Sequence, residues 1–201
     1  MTEAVFGLIG VLIGSGISWF QTYWVSRRQD SKNAKYLAIR VVCILDKYME
    51  DCVDVVNDDG LAFGQRNEEG YLEPRVKKPI PPIFPSDIDW KSIEDELMYK
   101  ILSFPSDIEA GDRMIDFTTN ISSPPDFEDW FEERRFYYCG FGITAYTLAE
   151  ELCLKYNIKK KTYNDWEPLA ELKRELEIVE KKRQKRIDSR AALVNKIFHD
   201  K

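Results

Sequence analysis

The densest group of side chains able to do chemistry is an acidic cluster within residues 126–133. Its members are Asp126, Glu128, Asp129, Glu132 and Glu133. Paired carboxylates can transfer protons or bind a hard cation such as Mg²⁺. The same positions fall in the first two turns of a predicted helix, where anions complement the helix dipole, and Arg134 and Arg135 follow at once. We therefore favour a solvated helix start, and we predict no catalytic residue, no metal site and no cofactor.

Histidine and cysteine add little further chemistry. His199 is the only histidine, two residues from the end, so a catalytic triad, a Cys-His pair or a His-based zinc site would depend on a terminal residue. The four cysteines, none in a C-x-x-C pair, are Cys43, Cys52, Cys139 and Cys153. Each lies among apolar residues of a predicted helix, so we expect reduced thiols packed in the core. Phosphate-loop, G-x-S-x-G and H-E-x-x-H motifs do not occur.

A basic run near the end of the chain is the strongest charge feature, formed by Lys181, Lys182, Arg183, Lys185 and Arg186. Residues 161–201 hold 11 basic and 8 acidic side chains, a net charge of +3, whereas residues 29–160 have a net charge of -10. This asymmetry indicates an anionic partner: the inner membrane leaflet, nucleic acid, or the acidic body itself. The net charge of -6 for the whole chain argues against nucleic acid. The alternative is a solvated helix face with pairs such as Glu177–Lys181.

The beginning of the chain contains a long stretch without charge. Residues 4–25 include no charged side chain, and as a helix they would extend about 33 Å, against a hydrocarbon core of about 30 Å. Aromatic side chains suited to the membrane–water boundary end the stretch: Trp19, Phe20, Tyr23 and Trp24. A secretory signal peptide would need a basic start, and only Glu3 is charged before the stretch. Since a buried core helix seldom runs so long without a charge, we predict one transmembrane helix.

The charges that flank this span predict its orientation. Basic residues follow it closely, at Arg27, Arg28, Lys32, Lys35 and Arg40, and none precedes it. Because positive residues stay on the cytoplasmic side, we expect residues 1–3 outside and the remainder of the body in the cytoplasm of a single-pass cell-membrane protein. We single out Arg27 and Arg28 as membrane-facing cations.

Within the span, small residues recur along one helix face at Gly7, Gly10, Gly14 and Ser18. Such a pattern lets two helix backbones approach closely, which favours association in lipid, although glycine is common in membrane helices generally. We expect a homo-oligomer formed through this face.

Apolar residues recur at steps of three and four through the body, which predicts an all-α fold with helices over residues 30–57, 90–104, 106–120, 126–156 and from about 164 onward. We expect Pro105 to separate two of these helices. Gly140 and Gly142 fall inside the fourth, where they permit a close helix crossing or a kink. Apolar residues are 44% of the chain, enough for a real core.

Glycine and proline interrupt the pattern over residues 61–90, which we predict to be irregular and Pro-rich. Ile83 and Phe84 would hold this segment against the helices; docking of its proline strip to an SH3-type partner is the alternative. The predicted organisation is an anchor at 1–28, a helical cytoplasmic domain at 29–160 and a charged C-terminal helix at 161–201.

The span with its basic flank, together with a set of residues in the body, resembles uncharacterised bacterial single-pass membrane proteins over residues 1–157. The body residues are Asp89-Trp90, Leu97, Ile101-Leu102, Phe104-Pro105, Ile108-Glu109-Ala110 and the tyrosine-rich long helix. The resemblance implies an all-helical cytoplasmic domain on one anchor and brings no activity with it.

The function that these features predict is a non-enzymatic interaction or scaffold module at the inner face of the membrane. Its expected partners are the lipid bilayer, a second copy of the chain and possible protein partners. One alternative is a membrane-acting effector, of toxin or anti-phage type, whose spans assemble to perturb the bilayer. A third is an enzyme that uses the acidic cluster at 126–133.

Overall fold

Apolar residues at helical spacing dominate the first third of the chain, and in the computed structural model they form one helix, α1, over Thr2–Asn57. The structure describes residues 2–58, 60, 66–122 and 127–199, without the side chains of 2–14, 121, 190 and 192–199. The described residues also contain α2 (Asp95–Ile121), α3 (Glu128–Lys155) and α4 (Pro168–His199), with a 3-10 turn at Trp90–Ser92. No strand occurs among them beyond one isolated bridge between Arg66 and Leu72, so the predicted all-α class is confirmed.

The second half of α1 carries the core face of the bundle. Its buried side chains recur at steps of three and four: Ala34, Leu37, Ala38, Val41, Val42, Leu45, Tyr48, Met49, Cys52, Val53, Val55 and Val56. Burial of this face supplies most of the stability of a long amphipathic helix. The helix ends before Asp58 and Gly60, and the glycine has a φ of 76°, in the left-handed region that favours glycine.

Helix α3 is the central helix, and it runs antiparallel to α1. Near one end, Lys35 Nζ donates a hydrogen bond to the carbonyl oxygen of Asn157 at 3.0 Å. Near the other, Arg135 Nε donates to the carbonyl oxygen of Val56 at 3.1 Å and satisfies one of the free carbonyls of the α1 terminus. The two contacts show that α1 and α3 run in opposite directions, with Lys35 of α1 beside the end of α3. The part of α1 that precedes Lys35 therefore projects beyond one end of the bundle.

Helices α2 and α4 also pack against α3 in the antiparallel sense. On α2, Lys100 lies 3.9 Å from Glu151, and Asp112 accepts a 2.9 Å hydrogen bond from the Tyr138 hydroxyl. On α4, Leu172 lies against Gly142 and Arg183 pairs with Glu133. Helices α1, α2 and α4 therefore share one direction, and the end of α4 points away from the start of α1.

A buried ion pair attaches the irregular segment to the bundle. The Arg134 guanidinium lies 3.2 Å from Asp58 Oδ2, and both side chains are almost fully buried. The same carboxylate oxygen accepts a 2.9 Å hydrogen bond from the backbone N–H of Val76, while Arg134 donates to the carbonyl oxygen of Val76. Burial lowers the pKa of Arg134, and the hydrogen bond to Asp58 opposes that shift. This network joins the end of α1, the irregular segment and α3.

Pro105 does not separate two helices, contrary to the sequence prediction, because it lies inside the continuous helix α2. A proline inside a helix costs about 3 kcal/mol and removes one hydrogen bond. Buried side chains on both sides of it lie on one face and hold the two halves in line: Leu97, Ile101, Phe104, Ile108 and Ile115. The predicted helix start near Trp90 is also wrong, since the residues there form a 3-10 turn capped by Asp89, and α2 begins at Asp95.

Two expectations about individual side chains are wrong. Ile83 is 81% exposed, whereas Phe84 packs edge-on against Trp90, with ring centroids 6.1 Å apart. The extended backbone at this point directs neighbouring side chains to opposite sides, so only one of the two reaches the core. Cys43 is exposed because it lies on the side of α1 opposite the core face, while the other three cysteines are buried.

Candidate functional site

The most unusual surface of the described structure is the projecting part of α1. Every residue from 15 to 32 is exposed, and Ala34 is the first buried residue among those of α1 whose side chains are described. These eighteen residues correspond to about 27 Å of solvent-exposed helix. Large hydrophobic side chains are exposed along it: Ile17, Trp19, Phe20, Tyr23, Trp24 and Val25. Contiguous apolar surface of this kind marks a site of interaction.

The aromatic residues of this projection form two columns along the helix, each ending in an arginine. In the first column the rings of Trp19 and Tyr23 are stacked with centroids 5.9 Å apart, and the Arg27 guanidinium lies 5.5 Å from the Tyr23 ring. In the second, Phe20 and Trp24 are 5.8 Å apart, and Arg28 lies 6.0 Å from the Trp24 ring. Each arginine is thus held over the ring one turn before it by a cation–π interaction.

The basic residues that follow the predicted span divide into two sets. Lys35 and Arg40 belong to the body, since Lys35 bonds to Asn157 and Arg40 forms an ion pair with Asp87 at 3.1 Å. Arg27, Arg28 and Lys32 instead line an open cleft on α1, together with Tyr23, Trp24 and Ser31. The predicted membrane-facing arginines therefore lie beside the aromatic columns and away from the bundle.

The predicted association face lies mostly outside the described side chains. Gly7, Gly10 and Gly14 belong to the part of α1 described only as helical backbone, and Ser18, the fourth member, is exposed. From residue 15 onward, where side chains are described, no helix is long and apolar enough to cross a membrane.

The basic run of α4 meets the acidic start of α3. Arg183 forms an ion pair with Glu133 at 2.6 Å, and its guanidinium lies 4.0 Å from the centre of the Phe136 ring. Arg186 pairs with both Asp129 and Glu132. Three members of the acidic cluster are therefore engaged by arginines of α4; Asp126 lies outside the described residues, and Glu128 is exposed.

The remaining basic residues of the run stay at the surface. Lys182 and Lys185 are exposed, and Lys181 lies 3.6 Å from Glu177 one turn earlier on the same helix. Burial raises the pKa of Glu132 above its ordinary value, despite the opposing charges of Lys182 and Arg183. The two arginines thus form an interhelical clasp, while the lysines form a solvated face.

A shallow apolar groove lies between α2, α3 and α4, with a volume of about 310 Å³. Gly140 forms part of its floor, and a Cβ there would meet no atom within 4 Å. Asp107 and Glu180 are among the polar residues that line the groove. Its apolar lining side chains are Phe104, Phe136, Tyr137, Phe141 and Leu176. The groove has room for one or two side chains of a partner.

The cysteines differ sharply in chemical character. Burial raises the pKa of Cys139 to about 12, and it also raises the pKa values of Cys52 and Cys153. A thiol held in its protonated form is a poor nucleophile. Cys43 is exposed on α1 and is the cysteine whose position the apolar sequence pattern did not reveal.

No group of three or more His, Cys, Asp or Glu side chains within the described ranges is arranged to hold a metal ion. Comparisons with protein-family models, with curated proteins and with solved structures found no match to the chain.

Proposed function

We propose that the chain is anchored in a lipid bilayer by the first part of α1 and carries its helical body as a non-enzymatic scaffold at the inner face of the membrane. The observation that supports this most directly is the exposed apolar and aromatic surface of residues 15–25, which continues the uncharged stretch that begins at residue 4. The two arginines that follow give the inner-face orientation, with residues 1–3 on the outer side.

The projecting part of α1 exposes six large hydrophobic side chains to water. Full burial of one such side chain is worth about 1.5–3 kcal/mol, and these are 46% to 71% exposed. Their removal from water would therefore contribute on the order of 5–10 kcal/mol, which is comparable to the whole stability of a domain. A bilayer supplies that burial along the full circumference of the helix, since lipid surrounds it on all sides.

Self-association belongs to the same proposal. The small-residue face of Gly7, Gly10, Gly14 and Ser18 would let two copies pack their spans closely in lipid. Helix α1 continues without a break into the bundle, so a contact between spans would fix the distance between the two bodies.

The body acts as an interaction module in this proposal, because its prominent charged groups are committed to structure. The carboxylates of Asp129, Glu132 and Glu133 serve the clasp with α4, so proton transfer or cation binding would first require the arginines to leave. The apolar groove offers a protein partner a place for an aromatic or aliphatic side chain.

We further propose that the anionic partner of Arg183 and Arg186 is the acidic start of α3, rather than lipid. From Val25 to Asn57, α1 rises about 48 Å, and α4 continues in the same direction from its contact with Asn57, whose amide bonds to Glu171 at 2.7 Å. Charges screened over about 8 Å at physiological salt would not attract a bilayer at that distance.

The test measures the oligomeric state and the effect on the membrane. The full chain in mild detergent is expected to run as a dimer or larger species, and the Gly10→Leu/Gly14→Leu variant is expected to run smaller. Gly16→Leu, which adds the same bulk at one position on a different side of the helix, should behave like the wild type. Equal size of all three proteins contradicts association through this face.

A measurement of the membrane potential in cells that express the full chain distinguishes the scaffold proposal from the alternative of a membrane-acting effector. A scaffold leaves the potential intact, whereas spans that assemble to perturb the bilayer collapse it.

A further inference from the structure

The cleft on α1 formed by Tyr23, Trp24, Arg27, Arg28, Ser31 and Lys32 has a volume of about 400 Å³. Three of its side chains are cations, one is a hydroxyl and two are aromatic rings. No carboxylate lines it, and Asp30, the acidic residue in this stretch, lies outside the lining. The described residues thus present a locally positive, amphipathic concavity on an otherwise acidic chain.

The two guanidinium groups in the cleft are positioned in advance of any ligand. Arg27 is held over the Tyr23 ring at 5.5 Å and Arg28 over the Trp24 ring at 6.0 Å. Stacking on a ring orients the planar group and reduces the freedom that it would lose when it binds. Both arginine side chains are exposed, so a ligand can reach their N–H donors. Guanidinium groups pair with phosphate oxygens in a bidentate manner.

The depth of the cleft relative to the proposed span matches the position of lipid phosphates. Arg27 and Arg28 follow Val25 by two and three residues, about 3–5 Å along the helix axis. The headgroup region occupies about 5–7 Å on each side of the hydrocarbon core. Tyr23 and Trp24 would then lie at the boundary between the two regions, with the guanidinium groups at phosphate level.

We propose that this cleft binds the headgroup of an anionic phospholipid, with the phosphate held by Arg27 and Arg28; this inference rests on the proposed membrane anchor. Ser31 and Lys32 line the cleft one helix turn further from the span than the two arginines, and they provide a hydroxyl and an ammonium group. A headgroup with hydroxyls, such as phosphatidylglycerol, satisfies these groups. The quaternary ammonium of phosphatidylcholine would instead approach Lys32, and like charges repel.

The test uses the fluorescence of Trp19 and Trp24 in the full chain, reconstituted into phosphatidylcholine vesicles. Brominated lipids quench tryptophan on contact, so the bromine label is carried by phosphatidylglycerol in one series and by phosphatidylcholine in the other. Each Lys or Arg near an anionic lipid is worth roughly a fivefold change in affinity. We expect brominated phosphatidylglycerol to occupy the site at least about fivefold more strongly than brominated phosphatidylcholine.

Two variants make the test specific. In Arg27→Gln/Arg28→Gln the preference should fall by at least about fivefold, and Lys173→Gln/Lys185→Gln, which removes two exposed charges from α4, should keep it. A preference that is absent from the wild type, or that is undiminished in Arg27→Gln/Arg28→Gln, overturns the proposal. Inorganic phosphate added to the vesicles should leave the preference unchanged; if it abolishes the preference, free phosphate binds the cleft more strongly than the headgroup does, which overturns the proposal.

Vesicle flotation separates this proposal from the anchor itself. If the wild-type chain floats with the vesicles but shows no preference, the headgroup site fails and the anchor stands. If the chain does not float, both fail.

Discussion

Gly140 and Gly142 are two residues apart in α3, and substitution of each by alanine should change the stability in opposite directions. A Cβ on Gly140 would meet nothing within 4 Å, because the residue faces the groove. A Cβ on Gly142 would lie 2.7 Å from Leu172 Cδ1 and 3.1 Å from Cys52 Cβ, at the point where α3 crosses α1 and α4. Gly140→Ala therefore changes only the helix propensity of the residue, whereas Gly142→Ala also places a methyl group against the packed core.

The magnitudes follow from two effects. Alanine is favoured over glycine in a helix by up to about 1 kcal/mol, so Gly140→Ala should stabilise the protein by about 0.5–1 kcal/mol. At Gly142 the same gain is opposed by overpacking of about 1–3 kcal/mol, since Leu172 and Cys52 are fully buried and have little room to shift. The two variants should therefore differ in free energy of unfolding by about 1–3 kcal/mol.

The assay is urea or thermal unfolding of the full chain in detergent, followed by circular dichroism. A difference of 1 kcal/mol shifts the Tm of a protein of this size by about 2–4 °C. As a control, Leu172→Val removes the Cδ atoms, so its combination with Gly142→Ala should cost less than the sum of the two single changes. If Gly142→Ala proves as stable as Gly140→Ala, the close crossing of α3 with α1 and α4 is wrong.

Three further sets of substitutions test other parts of the fold. Asp58→Asn should destabilise the protein by about 3–5 kcal/mol because it leaves the Arg134 guanidinium buried without a counter-charge, and Arg134→Met should recover part of the loss in the double variant; a cost below about 1 kcal/mol in urea unfolding would refute the buried pair. A maleimide should label one thiol in the folded chain and none in Cys43→Ser, whereas labelling of two or more thiols before unfolding would show that the other cysteines are accessible. Arg183→Gln should cost about 1 kcal/mol at low salt and less at high salt, with no additional cost when Glu133→Gln is added; additive costs would mean that the two residues do not interact.

Helical periodicity in the sequence was sufficient to predict the all-α class, the long helices α3 and α4, and the two stretches 4–25 and 30–57 that form most of the single helix α1. In α1 the apolar residues spaced by three and four are the residues of the buried face. The spacing predicts this face because residues three and four apart lie on the same side of a helix. The same logic missed Cys43, which lies in an apolar neighbourhood of the sequence but on the opposite side of the helix. Whether a helical residue is buried depends on its angular position around the helix axis, and the types of its sequence neighbours do not give that position.

Long-range packing accounts for the features that the sequence did not predict. Pro105 is a helix breaker by its local chemistry, and the continuity of α2 depends on contacts with α3 that are remote in sequence. The buried pair of Asp58 and Arg134 joins residues 76 positions apart. The basic run of α4 indicated an anionic partner. That Arg183 pairs with Glu133 follows from the antiparallel packing of α3 and α4, which the sequence did not predict.

The anchor proposal is tested most directly by alkaline carbonate extraction of membranes from cells that express the full chain. A helix inserted across the bilayer resists high pH and salt, because burial of apolar surface rather than charge holds it. We predict that the chain stays in the membrane pellet and dissolves only with detergent. Release into the carbonate supernatant as a species that remains monodisperse without detergent would contradict the anchor, and with it the proposed scaffold at the membrane.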